Sequence, residues 1–441
     1  MEPVAARTKR KITRRLMPFL FLLYITAYID RVNVSFAGLD MTRELGFSNA
    51  VFGFGSGIFF FGYCLLEIPG AMLVEAWSAR KWIATIMIGW GILAGITGLI
   101  RTAVQFDVIR FLLGLAEGGF FPAVVVYLTH WYRYEDRGKA MAMFMTAIPV
   151  SNMIGAPISG MLMRLDWLGL SGWRWLLILE GIPAFVCGIA TLFYLPDRPK
   201  NARWLDAAER EWITGELERE LRDKKQSGRH HIGILEAFRK PVILALAMSY
   251  FLLNTSSYGL NIWLPKIVQK LSGLSTFQLS LILAIPYLFA VPAMMISGWH
   301  SDKTRERRFH SAFAALMAGA GLALSQVPSA GPVFVVAMFT LAAMGALSYY
   351  PPYWALPTAM LSARTAAASF GFINLIANLG GFVGPYLVGF LTDRTGTYAA
   401  GVYLLVSTAV LAAIVVSLIR PKHGVVAVAA YGKTEQRRNS P

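Results

Sequence analysis

Charged residues are scarce in this chain. Only 15% of its 441 residues are Asp, Glu, Lys or Arg, whereas soluble proteins average about a quarter. By contrast, 56% of the residues are hydrophobic. This composition excludes a water-soluble globular enzyme. Twelve membrane helices of about 20 residues each would account for the apolar content.

Residues for metal, disulfide and phosphate chemistry are also few. The two cysteines, Cys64 and Cys187, both lie inside apolar runs, so neither a disulfide framework nor a metal site is expected. No glycine-rich phosphate loop followed by Lys occurs, which disfavours ATP-driven transport. We expect no cofactor. Because no nucleophile and base lie at one membrane depth, we also expect no enzymatic activity.

Apolar runs between charged clusters predict an all-α membrane protein with twelve transmembrane helices. No small-residue cleavage site follows the first run, so it is expected to remain a membrane helix. Residues 1–195 are predicted to form a six-helix bundle, 196–240 a cytoplasmic linker, and 241–441 a second bundle with a tail. The predicted helices cover residues 16–37, 50–75, 82–100, 106–130, 139–164, 173–195, 242–270, 277–300, 310–327, 332–362, 366–391 and 398–420.

The linker has the pattern of one amphipathic surface helix. Asp206 and Glu209 have the spacing of a capping box, in which each side chain satisfies the backbone N–H of the other residue. Apolar residues alternate with charges after it. We expect this helix to hold the two bundles together.

The net charge of +16 comes from basic residues concentrated on one side of the predicted helices. Most lie in the N-terminal arm, the loops on that side and the tail. By the positive-inside rule, both termini are expected in the cytoplasm of an inner (plasma) membrane protein. The charge therefore requires no nucleic acid. The seven basic residues expected outside are Arg43, Arg101, Arg164, Arg174, Lys266, Lys270 and Arg394.

Two motifs recur at one offset along the chain. The motif that begins at Gly70 after the second helix recurs at Gly298 after the eighth, and Pro157 in the fifth helix corresponds to Pro385 in the eleventh. Both offsets are 228 residues. This indicates a duplicated six-helix unit, an arrangement in which transporters bind substrate between the two halves.

These motifs resemble those of the major facilitator superfamily. The stretch from Arg110 to Glu117 resembles its fourth-helix motif, and Tyr28-Ile-Asp30-Arg31 is similar to the anion:cation symporters, with the tartrate and phthalate permeases most similar. The resemblance implies alternating access with functional roles for Asp30, Arg31, Arg110 and Glu117. It also implies that salt bridges between the halves close the cytoplasmic side, formed by the gating residues Glu75, Arg80, Asp302, Arg305 and Arg307.

Arg31 is one of few ionisable residues at membrane depth, where charges are costly and usually functional. It lies about 22 Å into the predicted helix, a little beyond the centre of a hydrocarbon core about 30 Å thick. Tyr24, Tyr28 and Ser35 share its helical face. A planar guanidinium can form two parallel hydrogen bonds to a carboxylate, so we predict that Arg31 binds the substrate. Tyr28, on the same helical face, is predicted to contact the substrate as well. The alternative is an Arg31 neutralised by an internal acid for assembly alone.

Glu117 is the leading candidate for proton coupling. It lies two turns from Arg110, on the same face of the fourth helix and near mid-span. Burial and a nearby arginine act in opposite directions on the proton affinity of a carboxyl group. A static ion pair with Arg110 is the alternative. Asp30 is the second coupling candidate, while Glu67 and Glu180 are expected to make packing or gating contacts.

The C-terminal half offers polar residues without charge. Tyr258 belongs to a polar stripe on the seventh helix, and Asn374 to another on the eleventh. Trp354 follows Pro351 and Pro352 in a tenth helix that is expected to be broken. Such side chains can bind hydroxyl groups or cover a ring, although Asn also joins membrane helices without a ligand. The predicted substrate contacts are Tyr28, Arg31, Arg110, Tyr258, Trp354 and Asn374, and the family resemblance adds Tyr63.

We therefore expect a proton-coupled symporter that imports a small organic carboxylate, such as tartrate or a related hydroxy or sugar acid. Its partners would be the anion, protons and the lipid bilayer, and it would act as a monomer. Sodium coupling and exchange of aromatic carboxylates remain open. A channel explains the sequence less well than a carrier does, because a channel would not need a duplicated gating motif with buried acids.

Overall fold

The computed structural model describes residues 3–226, 240–328, 331–360 and 363–419. Within these ranges the chain forms fifteen α-helices, one short 3-10 helix (Pro199–Asn201) and no β-strand. The expectations for the rest of the linker and for the tail 420–441 fall outside the described residues.

Eight helices form the N-terminal half. They are α1 (Val4–Glu44), α2 (Asn49–Ala76), α3 (Ala79–Thr97), α4 (Ala103–Gly118), α5 (Phe120–Thr129), α6 (Tyr134–Met145), α7 (Ala147–Leu162) and α8 (Gly172–Tyr194). Two apolar stretches of membrane length combine two helices each: Ala103–Thr129 consists of α4 and α5, and Tyr134–Leu162 consists of α6 and α7. The half therefore contains six spans.

The linker and the C-terminal half supply seven more helices. They are α9 (Ala207–Gln226) in the linker, then α10 (Pro241–Ser272), α11 (Thr276–Thr304), α12 (Arg308–Leu324), α13 (Pro332–Met360), α14 (Ala363–Thr395) and α15 (Ala399–Leu418). Ten helical segments in the described ranges are long and apolar enough to cross a membrane. The shorter or less apolar α3 and α12 complete the predicted six plus six, so the twelve-helix prediction is confirmed.

α1 begins twelve residues earlier than predicted. The basic N-terminal arm is helical because acidic groups of the linker and of the start of α6 face it. Arg7 lies 2.7 Å from Asp206, and Lys9 lies 2.9 Å from Asp136. These partners are more than a hundred residues away in sequence, so local hydropathy could not reveal them.

The expectation of a broken tenth helix was wrong, since α13 continues through Pro351 and Pro352. Proline cannot donate the backbone hydrogen bond of a helix, so Pro352 leaves the carbonyl of Ser348 without its usual donor. The hydroxyl of Ser297 on α11 donates to that carbonyl at 2.9 Å. Membrane helices tolerate proline where a neighbouring helix satisfies the freed backbone group in this way.

The two halves meet along α2 with α14, α7 with α11, and α1 with α10. We call the side with Val4 and Ile419 the termini face and the opposite side the distal face. At the distal face, the Asp393 carboxylate of α14 accepts hydrogen bonds from the backbone N–H groups of Asn49 and Ala50 at 3.1 and 2.7 Å. These groups begin α2, where the helix dipole favours an anion. The halves are therefore joined at the distal face.

The linker helix has the predicted capping box. The backbone N–H of Glu209 donates to Asp206 at 2.8 Å, and that of Asp206 donates to Glu209 at 3.0 Å. The Trp204 ring, just before α9, stacks on Trp131 with ring centroids 5.5 Å apart. Arg133 binds Glu216 at 2.9 Å. These contacts fasten α9 to the N-terminal half, while its predicted role of holding the two bundles together stays a prediction.

Glu209→Gln should loosen α9. Burial by itself would raise the pKa of Glu209, but hydrogen bonds from Lys11, the Asp206 backbone and Arg7 hold that pKa below its usual range. A lowered carboxyl pKa gives stability that is present at neutral pH and lost as pH falls through the folded-state value. Since both cations are nearly half exposed, we expect a loss of about 1 kcal/mol.

Hydrogen exchange measured by mass spectrometry checks this expectation. Amides of α9 should exchange about fivefold faster in Glu209→Gln at neutral pH. The difference from the wild type should shrink in acid. Glu211, exposed on the same helix, provides the control variant Glu211→Gln. Equal exchange rates in all three proteins would show that this carboxylate does not hold the helix.

Candidate functional site

An ion pair between Arg31 of α1 and Glu117 of α4 lies at the centre of the N-terminal half. Nη2 of Arg31 donates to Oε1 of Glu117, and the two side chains are 10% and 1% exposed. Within the described residues, Nε of Arg31 and Oε2 of Glu117 have no hydrogen-bond partner. Arg31 therefore retains one unused donor and Glu117 one unused acceptor. A buried ion pair is stable only when such remaining groups are also hydrogen-bonded.

Three aromatic rings surround the Arg31 guanidinium. Its central carbon lies 5.1 Å from the Tyr28 ring centroid, 5.7 Å from that of Phe59 and 5.0 Å from that of Tyr63. A guanidinium within about 6 Å of a ring is attracted by the ring quadrupole. We call Tyr28, Phe59 and Tyr63 the aromatic cage. The structure thus brings the predicted residues Tyr28, Arg31 and Tyr63 together.

The close approach of α4 to α2 positions Glu117. A Cβ atom on Gly114 would lie 1.8 Å from the carbonyl oxygen of Phe59, and one on Gly118 would lie 2.1 Å from that of Tyr63. Only glycine allows backbones to pack this tightly, as is common between membrane helices. The two glycines therefore place Glu117 within reach of Arg31.

Arg110 of α4 is a second buried arginine, beside this ion pair. It is 2% exposed, and its guanidinium carbon lies 4.9 Å from the Phe59 ring centroid. The same ring thus contacts both Arg31 and Arg110. Glu117 pairs with Arg31 rather than with Arg110, so the alternative of a static Arg110–Glu117 pair was wrong. A substrate contact by Arg110 stays a prediction.

Asp30 is fully engaged within the N-terminal half. Trp90 of α3 donates to its Oδ2 at 2.8 Å, and Asn33 donates to its Oδ1 at 3.0 Å. Asp30 is 2% exposed. Its immediate role is therefore to anchor the part of α1 that carries Arg31. Proton coupling at Asp30 stays a prediction.

Glu67 links the two halves one helical turn beyond Tyr63. Asn374 and Asn378 of α14 both donate to its carboxylate, the latter at 3.2 Å. Glu67 is 7% exposed. The predicted substrate contact Asn374 is therefore bonded to a carboxylate of the other half. The sequence shows the i, i+4 spacing of the two asparagines, but it does not show the acid that they face.

The other two predicted contacts of the C-terminal half lie in different surroundings. The Tyr258 ring of α10 contacts Phe60 of α2, with ring centroids 4.5 Å apart, so it belongs to the interface. Trp354 packs against Tyr250 at 5.3 Å and Phe370 at 5.6 Å, inside its own half. Both substrate contacts stay predictions.

A small cavity opens one turn beyond Arg31 towards the distal face. It lies between α1, α7, α10 and α11, and its polar lining residues are Ser35, Asn152, Asn261 and Tyr287. The Tyr287 hydroxyl donates to Asn261. Ser35 lies on the helical face of Arg31, so the sequence indicated part of this lining, and Asn152 was a further sign. Residues from both halves thus surround a space beside the ion pair.

Among the predicted gating residues, Arg80 pairs with the start of the linker, and Asp302 and Arg307 pair with each other. Arg80 lies 3.8 Å from Asp197, and Arg307 lies 2.9 Å from Asp302. Arg305 ends α11 in the left-handed conformation, and Glu75 is exposed. These residues therefore form none of the expected salt bridges between the halves within the described part of the chain. The halves are joined at the distal face instead. Their role when the halves rock to the opposite state stays a prediction.

Comparisons with known proteins agree with this architecture. The family model described as Major Facilitator Superfamily matches residues 20–385. A protein named "Putative tartrate transporter" from Agrobacterium vitis is 44% identical over 423 residues, which cover 95% of this chain and 96% of that protein. The "Quinolone resistance transporter" of Acinetobacter baumannii is 37% identical, with 90% and 91% covered. The crystal structure of a D-xylose-proton symporter matches with a TM-score of 0.74 at 16% identity, over 92% of this chain and 98% of that one.

Proposed function

Because this chain belongs to the major facilitator superfamily, we propose that it is a proton-coupled symporter that imports a small organic carboxylate. Tartrate or a related hydroxy or sugar acid is the leading substrate class, supported by the name of the 44% identical relative. The observation that carries the proposal is the buried Arg31–Glu117 pair inside the aromatic cage.

Charge balance at this pair suggests the coupling step. Without substrate, the Glu117 carboxylate neutralises Arg31. A proton on Glu117 removes its charge and releases Arg31, which can then bind the substrate carboxylate with its free donors. For one carboxylate group, both the empty and the loaded site are then neutral, whereas the second carboxylate of tartrate requires a further proton or cation. An unbalanced charge at membrane depth would cost about 3 kcal/mol or more, so proton and anion cross together.

We infer that both termini lie in the cytoplasm of an inner membrane protein that acts as a monomer. The distribution of basic residues supports this orientation. With it, the distal face is periplasmic. The halves joined at that face by Asp393 and Asn49 then correspond to the inward-facing state.

Proteoliposomes containing the purified protein test the proposed function. An inward proton gradient should drive saturable accumulation of labelled tartrate above its external concentration, and a protonophore should abolish it. Vesicles loaded with unlabelled tartrate should show counterflow, which a channel would not give. Accumulation driven by a sodium gradient, or uptake insensitive to pH, would contradict proton symport.

An aromatic carboxylate is the second candidate substrate. The aromatic cage around Arg31 favours it, as does the 37% identical relative named for quinolone resistance, because quinolones are aromatic carboxylic acids. Competition decides between the two candidates. If benzoate displaces labelled tartrate at a lower concentration than unlabelled tartrate does, the aromatic class is preferred.

Neutralising the gate on the termini face should bias the protein towards the state seen here. We expect a variant with Asp302→Asn, Arg305→Gln and Arg307→Gln to populate it more, because these charges would otherwise hold the termini face closed. Asp393→Asn should act in the opposite direction, since it weakens the distal contact to Asn49. Accessibility of single cysteines placed at each face measures both shifts. Identical labelling of the triple variant and the wild type would reject the gating role.

A further inference from the structure

Lys266 is a basic residue of α10 that neither the candidate site nor the predicted gate uses. It lies within two turns of the distal end of the helix, and only 8% of it is exposed. Lysines near the ends of membrane helices usually extend their ammonium groups towards water. Lys270, one turn further along α10, is exposed in this way. Lys266 differs, because its ammonium lies in the contact between the two halves.

The partners of Lys266 come from the N-terminal half. Its Nζ donates to Oγ1 of Thr42 on α1 at 3.0 Å and lies 4.3 Å from the centroid of the Phe52 ring on α2. An ammonium within about 6 Å of a ring centroid is attracted to the face of the ring. A cation of the C-terminal half is thus bound by a hydroxyl group and an aromatic ring of the other half.

Packing fixes the Phe52 ring where it receives the ammonium. The ring is fully buried, and a Cβ atom on Gly38 of α1 would overlap it, so the glycine leaves the space that the ring needs. The ring also contacts Trp263 of α10 edge to face, with ring centroids 5.4 Å apart. The Trp263 ring centroid lies 5.2 Å from Nζ of Lys266. The ammonium therefore contacts one ring from each half.

No acid neutralises Lys266 at this position. Among the described residues, its hydrogen-bond partner is the Thr42 hydroxyl, and no carboxylate lies within salt-bridge distance. Removing an ammonium from water is costly unless protein groups replace its hydration. The hydrogen of the Thr42 hydroxyl donates to the carbonyl of Gly38 at 2.8 Å, so the lone pairs of Oγ1 face the ammonium. If the halves separated at the distal face, Lys266 would lose Thr42 and Phe52 and regain water.

We propose that Lys266 is a gating residue of the distal face, whose ammonium leaves water when the halves close there and is then held by Thr42 and Phe52. We call these three residues the distal clasp. The proposal rests on the rocking of the halves in the proposed transport cycle. Lys266 and Asp393 are both charges of the C-terminal half that bind neutral groups of the N-terminal half. In contrast to a salt bridge, such a gate needs no opposite charge from the other half.

Thr42→Val tests the distal clasp, because valine is close to threonine in size but has no oxygen. The ammonium then lacks its acceptor when the distal face is closed. We expect the ratio of distal-open to distal-closed molecules to rise about tenfold, the effect of losing one hydrogen bond to a charged group. Thr42→Ser keeps the hydroxyl group and should leave the ratio close to that of the wild type.

Double electron–electron resonance on the purified protein in lipid nanodiscs measures this ratio. Spin labels are attached at Asp166→Cys and Thr397→Cys, which are exposed positions at the distal face of the N- and C-terminal halves. The distance between them should be longer when that face is open. Cys64 and Cys187 are replaced by alanine so that the labels react at the two chosen positions alone.

The decisive comparison repeats Thr42→Val in two backgrounds. Lys266→Met has no ammonium that needs the hydroxyl, so there Thr42→Val should change the ratio by less than about twofold, as expected for uncoupled sites. Lys270→Met is the matched control, because Lys270 lies 5.5 Å from the ring centroid of Tyr398 in its own half. There the full effect should persist. The proposal is overturned if Thr42→Val acts equally in all backgrounds or has no effect in the wild type.

Acetylation of lysines, followed by mass spectrometry, gives a second readout that leaves Lys266 in place. In the wild type, Lys266 should react about tenfold more slowly than Lys270, since its amine is reached only when the distal face opens. Thr42→Val should reduce this difference. Equal rates for the two lysines in the wild type would mean that the Lys266 ammonium stays in water, which contradicts the clasp.

These measurements separate the inference from the proposed function, because they use neither tartrate nor a proton gradient. A wild type without gradient-driven uptake would contradict the symporter. The distance distributions and the acetylation rates of the same protein would still decide whether Lys266 closes the distal face.

Discussion

Arg31→Lys should weaken tartrate binding by about 10- to 100-fold, although the positive charge is kept. A lysine ammonium cannot present two parallel donors to a carboxylate, and it cannot lie flat within the aromatic cage at 5.0 to 5.7 Å from the rings. Charge-assisted hydrogen bonds are worth about 1.5–3 kcal/mol, and each 1.4 kcal/mol is about tenfold in affinity. Isothermal titration calorimetry with tartrate measures the loss.

The control for this variant is Arg101→Lys, a change at an exposed arginine, which should leave tartrate affinity unchanged. Removing one partner of a buried pair can destabilise a protein by about 3–5 kcal/mol, so the melting temperature of Arg31→Lys should be measured as well. A folded Lys variant with undiminished affinity would mean that Arg31 serves assembly through Glu117 and does not bind the substrate.

Glu117→Gln should preserve exchange and abolish proton-driven accumulation. The Gln amide resembles a protonated Glu, so the loaded carrier has the same charge as the protonated, loaded wild type and can reorient. The empty carrier lacks the carboxylate that neutralises Arg31 and would have to return with an unbalanced charge. At about 3 kcal/mol, this penalty slows the return by about 100-fold.

Two uptake assays distinguish these steps. Vesicles loaded with unlabelled tartrate report exchange, and empty vesicles with an inward proton gradient report net uptake. Asp30→Asn is the comparison: because Asp30 holds α1 through Trp90, its loss should damage binding as well as coupling. If Glu117→Gln vesicles still accumulate tartrate along the gradient, the proton site lies elsewhere.

The sequence by itself determined the helices. Within a bilayer a helix satisfies nearly all of its backbone polar groups inside its own segment, so apolar runs between charged clusters predict the spans. The capping box of Asp206 and Glu209 was equally readable, because its hydrogen bonds join residues three apart. The isolated buried charges Arg31 and Glu117 stood out for a similar reason, since few charges are tolerated at that depth.

Only the tertiary structure decided which polar groups meet. Arg31 and Glu117 are 86 residues apart, and Glu67 and Asn374 are 307 apart. Helical periodicity gives the face of each residue but not the rotation and depth of one helix against another. Close packing sets these, through contacts such as that of Gly114 with the Phe59 backbone. The same limit explains the continuous α13, whose Pro352 depends on a hydroxyl group that Ser297 supplies from a neighbouring helix.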